Sequence, residues 1–235
     1  MGETDRVLVV GGSSGIGLAT AEAFAARGHA VTIAARDRDR LAEAARRIGA
    51  RASTVSLDLR DQASVRAALG TERFLHVVLA AADLRYAPLL AMPLGDLQHV
   101  FDSKLFGYVR VVQAVAPRLP PDGSVTLVSG IASERPSPGA AAVAAVNGAI
   151  EALGRALAVE LSPVRVNVVS PGVTDTPSWS GLGEGRERFF AEVASRLPAK
   201  RVGKPEDVAA VILAVATNRF SSGAVFHVDG GGRLS

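Results

Sequence analysis

A glycine-rich turn near the start of the chain constrains the fold more than any other feature. The apolar run from Val7 to Val10 predicts a buried strand, and Gly11 directly after it permits a tight turn. Gly15 allows backbone to approach a pyrophosphate, and Gly17 allows the next helix to pack closely on the strand. The amides at the start of that helix favour an anion. The pattern predicts a dinucleotide-binding unit.

Short β-branched runs alternate with alanine-rich helical stretches along the rest of the chain. This alternation predicts an α/β fold in which parallel strands are joined by crossover helices. The predicted strands cover residues 7–10, 30–35, 52–57, 74–81, 125–129, 164–169 and 225–228. The longest predicted helices cover residues 94–115 and 140–161, and the first covers residues 15–27.

Length and composition are typical of one compact domain. At 235 residues and 48% hydrophobic, the chain can bury a large core, and nothing divides residues 1–235 into separate units. The irregular stretch 170–201 is rich in proline and glycine, which predicts a substrate lid over the strand ends. Trp179, Phe189 and Phe190 in this stretch fit an apolar small-molecule substrate, and packing onto the domain explains them equally well.

Composition also excludes several classes of function. No apolar run reaches membrane-spanning length and no signal-peptide pattern precedes the first strand, so we expect a cytoplasmic protein without membrane contact. Without cysteine there is no disulfide, thiolate nucleophile or cysteine metal site, and no metal is expected. The arginines between residues 36 and 51 alternate with acidic residues, which favours a solvated helix face over a nucleic-acid surface.

Five segments, in order over essentially the whole chain, resemble the short-chain dehydrogenases/reductases. They are residues 11–17, Asp58-Leu59, residues 165–172 (RVNVVSPG), residues 203–209 (GKPEDVA) and residues 223–231, which include Val228-Asp229-Gly230-Gly231. The resemblance implies a single Rossmann domain with a doubly wound, mostly parallel sheet of seven strands flanked by helices. It also implies a nicotinamide cofactor and a homodimer or homotetramer.

The end of the second predicted strand indicates which cofactor is preferred. A site for NAD(H) commonly has a carboxylate there, whereas this chain has Ala35 followed by Arg36. A guanidinium can bind a 2′-phosphate, so we expect NADP(H) rather than NAD(H); alternatively, Arg36 merely begins a charged helix. The other cofactor contacts implied by the resemblance are Gly11, Ser13, Ser14, Gly15, Ile16, Gly17, Asp58, Leu59, Ala80, Ala81, Ala82, Asn147, Pro171, Gly172, Val173, Thr174 and Thr176.

All four catalytic positions that the resemblance implies are changed. The family uses a tyrosine as proton donor, a lysine four residues later, a serine and an asparagine. Here Val143 is at the tyrosine position, Asn147 at the lysine position and Gly130 at the serine position, while Lys104 stands where the asparagine belongs. No tyrosine follows residue 108, so no realignment restores the pair. Valine has no proton to donate, which excludes the usual mechanism.

Two residues are candidates for the missing chemistry. Lys104 lies on a helix that we expect to be partly buried, where a lysine can titrate and donate a proton or stabilise an oxyanion. The hydroxyl of Ser129, or that of Ser133, could orient a substrate carbonyl. The structural alternatives are an ion pair between Lys104 and Asp83, hydrogen bonds from Lys104 to helix carbonyls, and ordinary strand-end bonding of the serines.

Three functions therefore remain open. The first is an NADP(H)-dependent oxidoreductase that reduces a carbonyl or related group with a non-standard proton donor. The second is a catalytically inactive NADP(H)-binding or sensor protein, and the third is a non-redox cyclase or lyase on the same scaffold. We favour the first, because the cofactor features are retained more completely than a structural role requires.

Overall fold

The computed structural model describes residues 6–235, and at its centre is one seven-stranded sheet. Residues 1–5 of the predicted domain lie outside the described residues. The strands are β1 (Arg6–Val10), β2 (Ala30–Ala35), β3 (Ala52–Ser56), β4 (His76–Leu79), β5 (Ser124–Val128), β6 (Arg165–Pro171) and β7 (Val225–Val228). Their order is β3-β2-β1-β4-β5-β6-β7, and all neighbours pair in parallel. The predicted doubly wound α/β fold is confirmed.

Eight α-helices in the described residues cover both faces of the sheet. They are α1 (Gly15–Ala26), α2 (Arg38–Ile48), α3 (Gln62–Leu69), α4 (Leu94–Phe101), α5 (Gly107–Val115), α6 (Ala141–Glu160), α7 (Gly185–Arg196) and α8 (Pro205–Thr217). Helices α3, α5 and α6 pack on one face, and α1, α2 and α8 pack on the other. Leu8 and Val10 of β1 enter the first core and Val7 and Val9 the second, which explains why this strand is apolar throughout.

The strand order places a crevice between two neighbouring strands. Because the order reverses between β1 and β4, the chain leaves these strands in opposite directions at their carboxyl ends. The glycine turn follows β1, and the segment from Ala80 to Asp83 follows β4. The two segments that the sequence associates with the cofactor therefore meet at the topological switch point, where ligands bind in such sheets.

The predicted helix 94–115 is interrupted by a π-helical turn. Residues Asp102–Phe106 join α4 to α5 in this wider geometry, which inserts an extra residue into the helix. Ser103 and Lys104 are buried as a result, whereas Phe106 is exposed. Turns of this kind are frequent at functional sites, and this one directs a lysine into the protein.

The predicted lid 170–201 has more regular structure than its composition indicates. Its first two residues belong to β6, because Pro171 pairs with Val228 and the next amide, that of Gly172, donates to the Val228 carbonyl. A 3₁₀ helix (Pro177–Leu182) and α7 follow. Whether this stretch moves as a lid stays a prediction.

Helix α6 is long and apolar enough to cross a membrane by length and composition alone. The expectation that no apolar run reaches that length is therefore wrong as a statement about sequence. In the fold, the helix packs against the sheet, and a Cβ atom added at Gly154 would lie 2.4 Å from Val168 Cγ2 of β6. Its buried face makes α6 a core helix.

Candidate active site

The β1–α1 turn admits only glycine at two positions. Gly11 has a φ of +87°, and a Cβ atom there would lie 2.7 Å from the backbone nitrogen of Ala81. A Cβ atom at Gly17 would lie 2.1 Å from the carbonyl oxygen of Gly11. The turn is therefore tight, and α1 begins against the strand that precedes it, as the sequence predicts.

The N-terminus of α1 is open to an anion. Ser14, the residue before the helix, is extended and its side chain makes no capping hydrogen bond. The first turn of α1 carries no acidic residue, so its amides and the positive end of the helix dipole are not compensated there. A Cβ atom at Gly15 would come within 3.3 Å of the Thr176 side chain, which places this threonine beside the turn. These features fit a pyrophosphate.

A cavity of about 280 Å³ extends from this turn across the ends of β1, β2 and β4. Most of the predicted cofactor residues line it: Gly11, Ser13, Ser14, Gly15, Ile16, Gly17, Arg36, Asp58, Leu59, Ala80, Ala81, Ala82 and Thr176. Five predicted residues lie outside its lining: Asn147, Pro171, Gly172, Val173 and Thr174. The sequence reasoning missed Arg40, Arg60 and Ser103, which also line the cavity, as does Asp83.

Arginines surround the end of the cavity nearest β2. Arg36 and Arg40 both line it, so two of the arginines assigned to a solvated helix face also border the cavity. Arg60 Nη2 donates to Asp58 Oδ2 at 2.9 Å, and its Nε donates to Oδ1 at 3.2 Å. These bonds hold the pKa of Asp58 below its usual value. The result is a rim that suits a phosphate.

Asp83 forms ion pairs at the same rim. Its carboxylate lies 3.5 Å from Arg36 Nη1, 3.1 Å from Arg85 Nη1 and 3.1 Å from His99 Nε2. The expected ion pair with Lys104 is therefore wrong, because three other cationic or titratable side chains surround Asp83 while Lys104 turns toward β5. Asp83 connects the end of β4 to the arginine that follows β2.

Lys104 is buried between the end of β5 and α6. Only 3% of its surface is exposed. Nζ donates to the carbonyl oxygen of Ser129 at 2.8 Å and to Asn147 Oδ1 at 2.6 Å. The first acceptor terminates a strand, so the predicted alternative of bonds to helix carbonyls does not describe this contact. Burial lowers the pKa of Lys104 to about 7, while the nearby charge of Glu151 opposes that shift.

The structure brings together residues that the resemblance places at the catalytic positions. Asn147 lies beside Gly130, where an added Cβ atom would be 2.9 Å from Asn147 Nδ2. Val143 lies one turn earlier on α6 and is 2% exposed. With Lys104 bonded to Asn147, three of the four positions contact or adjoin one another. This cluster lies beside the cavity, since Ser103 lines the cavity and precedes Lys104.

Glu151 binds the two candidate serines. The hydroxyls of Ser129 and Ser133 donate to Glu151 Oε1 at 3.0 Å and 2.7 Å. A serine hydroxyl has one proton, so in this arrangement neither serine has one left for a substrate carbonyl. Sequence reasoning missed Glu151, although an acidic residue four positions after Asn147 lies on the same face of a helix and could have indicated it.

The aromatic residues of the predicted lid pack on one another. The ring centroids of Trp179 lie 4.9 Å from Phe189 and 6.3 Å from Phe190. Trp179 Nε1 also donates to the carbonyl oxygen of Thr174 at 3.0 Å. All three rings are partly buried, so mutual packing accounts for them without a substrate.

Comparisons with known proteins extend over nearly the full chain. A family model described as enoyl-(acyl carrier protein) reductase matches residues 10–232. The short-chain dehydrogenase/reductase MalC of Malbranchea aurantiaca is 30% identical over 247 residues, covering 96% of this chain and 93% of MalC. The short-chain reductase protein NovJ of Streptomyces niveus is 34% identical, covering 95% of this chain and 92% of NovJ.

A solved structure is similar over the same extent. The NADPH-bound short-chain oxidoreductase of Pseudomonas aeruginosa PAO1, described as containing an atypical catalytic center, has a TM-score of 0.89 and 29% identity to this chain. The match covers 97% of this chain and 96% of that one. The likeness therefore includes the segments that form the cavity.

Proposed function

Because the chain belongs to the short-chain dehydrogenase/reductase family of oxidoreductases, we propose that it is an NADP(H)-dependent reductase of a carbonyl or related group. In this proposal Lys104 replaces the missing tyrosine as the source of the proton. The similar Pseudomonas protein supports the choice of cofactor, since its structure contains NADPH, and its description as containing an atypical catalytic center is an example of a non-standard site on this fold.

The hydrogen bonding of Lys104 carries the proposal. An ammonium has three donors. Ser129 and Asn147 accept two of them, and residues 6–235 provide no hydrogen-bond acceptor for the third. A buried donor without a partner is costly, so a ligand or water that accepts this proton would be bound favourably.

The chemistry asked of Lys104 is general acid catalysis. When bound, the cofactor supplies the hydride. Lys104 supplies the proton for the oxygen or nitrogen atom that hydride transfer leaves negatively charged, directly or through one water. A pKa of about 7 suits this role, because a general acid works best when its pKa lies near the working pH. Val143 contributes only methyl groups at the position of the usual donor.

The cavity residues have distinct roles in holding the cofactor. The amides at the start of α1 would bind the pyrophosphate, with Thr176 on the other side of the turn. Arg36 would bind the 2′-phosphate, and Asp58 the adenine amino group. Arg40 and Arg60 add positive charge to the same rim. The residues around the cavity therefore fit NADP(H) at the adenosine end.

Deuteride transfer tests the proposal. NADPH carrying deuterium at C4, in each of its two stereoisomers, is incubated with the protein and a panel of ketones, imines and enoyl thioesters. We expect deuterium from one stereoisomer to appear in a product. Saturable NADPH binding without transfer across the panel would instead support the inactive binding protein. A product at the oxidation level of its substrate, formed without cofactor, would support the cyclase or lyase.

Cofactor preference is tested by Arg36→Ala. Because a charge-assisted hydrogen bond contributes about 1.5–3 kcal/mol, we expect the Kd for NADPH to rise about 10- to 100-fold and the Kd for NADH to stay within about twofold. Isothermal titration calorimetry measures both. Arg38→Ala is the matched control, since Arg38 is exposed and does not line the cavity.

Asp83→Asn is expected to have the opposite effect on NADPH binding. This substitution removes the carboxylate that would compete with the 2′-phosphate for Arg36, so the affinity for NADPH should rise by up to about fivefold. Equal losses for both cofactors in Arg36→Ala, or no change in either, would contradict the preference for NADP(H).

The predicted homodimer or homotetramer and the cytoplasmic location stay predictions. Three apolar side chains that a second copy could cover are exposed: Val159, Phe220 and Leu234. They lie at the end of α6, before β7 and in the C-terminal segment.

A further inference from the structure

Glu151 is a buried carboxylate to which the proposed function gives no role. It is 8% exposed and lies on α6, one turn after Asn147. Both of its recorded hydrogen bonds, from Ser129 and Ser133, reach Oε1. Within residues 6–235 no lysine, arginine or histidine lies within ion-pair distance of it. A buried carboxylate is costly unless hydrogen bonds or a nearby positive charge compensate it, so we expect a positive charge near Glu151.

Lys104 supplies the positive charge near Glu151, and Ser129 connects these two side chains. The backbone carbonyl of Ser129 accepts from Lys104 Nζ at 2.8 Å, and its hydroxyl donates to Glu151 at 3.0 Å. One residue at the end of β5 thus bonds an ammonium on one side and a carboxylate on the other. The arrangement is not a proton relay, because a backbone carbonyl has no proton to pass on.

We propose that Glu151 is a positioning residue of the catalytic centre, which fixes Ser129 against Lys104 and supplies the negative charge that keeps Lys104 protonated. This inference rests on the proposed function, in which Lys104 is the proton donor. Glu151 also fixes Ser133, in the segment after β5, because the Ser133 hydroxyl donates to the same oxygen of Glu151.

The other titratable groups on the elements around Lys104 have partners of their own. Tyr108 donates to the Val128 carbonyl, Asp102 pairs with Arg110, and His99 lies beside Asp83. On α6, Arg155 and Glu160 are exposed. Glu151 is therefore the group expected to set the charge of Lys104, which agrees with its opposition to the lowering of the Lys104 pKa by burial.

The small number of lysines allows the effect of Glu151 on the titration of Lys104 to be measured without a substrate. Lys104, Lys200 and Lys204 are the only lysines, so a protein labelled with ¹³C at lysine Cε gives three lysine signals. The signal missing from Lys104→Met is that of Lys104. In Glu151→Gln, we expect its titration midpoint to fall by about one pH unit, because a nearby opposite charge is lost. The glutamine Oε1 still accepts both serine hydroxyls, so the fold should be retained.

Two further variants separate charge from shape. Glu160→Gln, the same substitution at an exposed site on α6, should leave the Lys104 midpoint unchanged. Glu151→Asp retains the charge and should keep the midpoint near that of the natural protein. A fall in Glu151→Asp equal to that in Glu151→Gln would show that shape rather than charge matters, and would overturn the proposal.

The pH profile of deuteride transfer then separates the role of Glu151 from the role of Lys104 as general acid. If the Lys104 midpoint falls in Glu151→Gln and the profile follows it, both stand. If the midpoint falls but the profile does not, Glu151 still sets the charge of Lys104, and the acid role of Lys104 fails. If the midpoint does not move while transfer still tracks the Lys104 titration, the role of Glu151 fails and the reductase mechanism stands.

Discussion

Lys104→Met is expected to lower the rate of hydride transfer by about 10²- to 10⁴-fold, the contribution of a positioned general acid. Methionine keeps the length and apolar stem of lysine but has no proton to donate. Because Lys104 does not line the cavity that fits the cofactor, the Kd for NADPH should stay within about threefold. Single-turnover loss of NADPH absorbance measures the rate, and calorimetry measures binding.

Lys200→Met is the matched control for this substitution. Lys200 is exposed and its Nζ donates to the Ser195 carbonyl, which is not one of the partners of Lys104. We expect its turnover to equal that of the natural protein. Full activity in Lys104→Met would remove this residue from the mechanism, while equal loss of NADPH binding and turnover would assign it to binding alone.

The fold could be predicted from sequence because its determinants are local. Strands buried on both faces must be apolar at every position, as β1 is, and the turn after it needs glycine at Gly11 and Gly17 because neighbouring backbone leaves no space for a side chain. Strand ends were less accurate. The predicted strand 74–81 is shorter in the structure, and β6 is longer, because pairing partners decide where a ladder ends.

The contact between Lys104 and Asn147 could not be predicted in the same way. The alignment that the resemblance implies puts Asn147 at the lysine position and Lys104 at the asparagine position, and the structure places Lys104 Nζ 2.6 Å from Asn147 Oδ1. The ammonium of Lys104 extends from the π-helical turn to a side chain of α6. These residues are 43 positions apart, and only packing of the two helices brings them together.

Gly130 lies against the same asparagine. A Cβ atom at this position would lie 2.9 Å from Asn147 Nδ2, so any larger residue requires the end of the asparagine side chain to shift. The sequence treats positions 130 and 147 separately, whereas the structure brings them into contact. The Lys104–Asp83 pair was wrong for a similar reason, since the partners of Asp83 are residues that only the fold brings near it.

The free energy of unfolding should rise with pH between about 7 and 9.5, because the folded protein lowers the pKa of Lys104 from 10.5 to about 7. In this range the unfolded chain binds a proton that the folded protein has already released, so raising the pH favours the folded state. The slope is at most roughly 1.4 kcal/mol per pH unit. Urea denaturation at a series of pH values measures it.

Lys104→Met identifies the source of this slope, since the variant should be nearly flat over the same range. Other shifted groups act outside it. Burial lowers the pKa of His76 to about 4, so its contribution grows mainly between that value and 6.5 and levels off at the lower end of the Lys104 range. Burial raises the pKa of Tyr108, whose opposite effect begins near 10, where the unfolded tyrosine ionises. A slope that survives in Lys104→Met would show that this lysine keeps its proton in the folded protein, and a lysine that does not release a proton near neutral pH cannot act as the general acid.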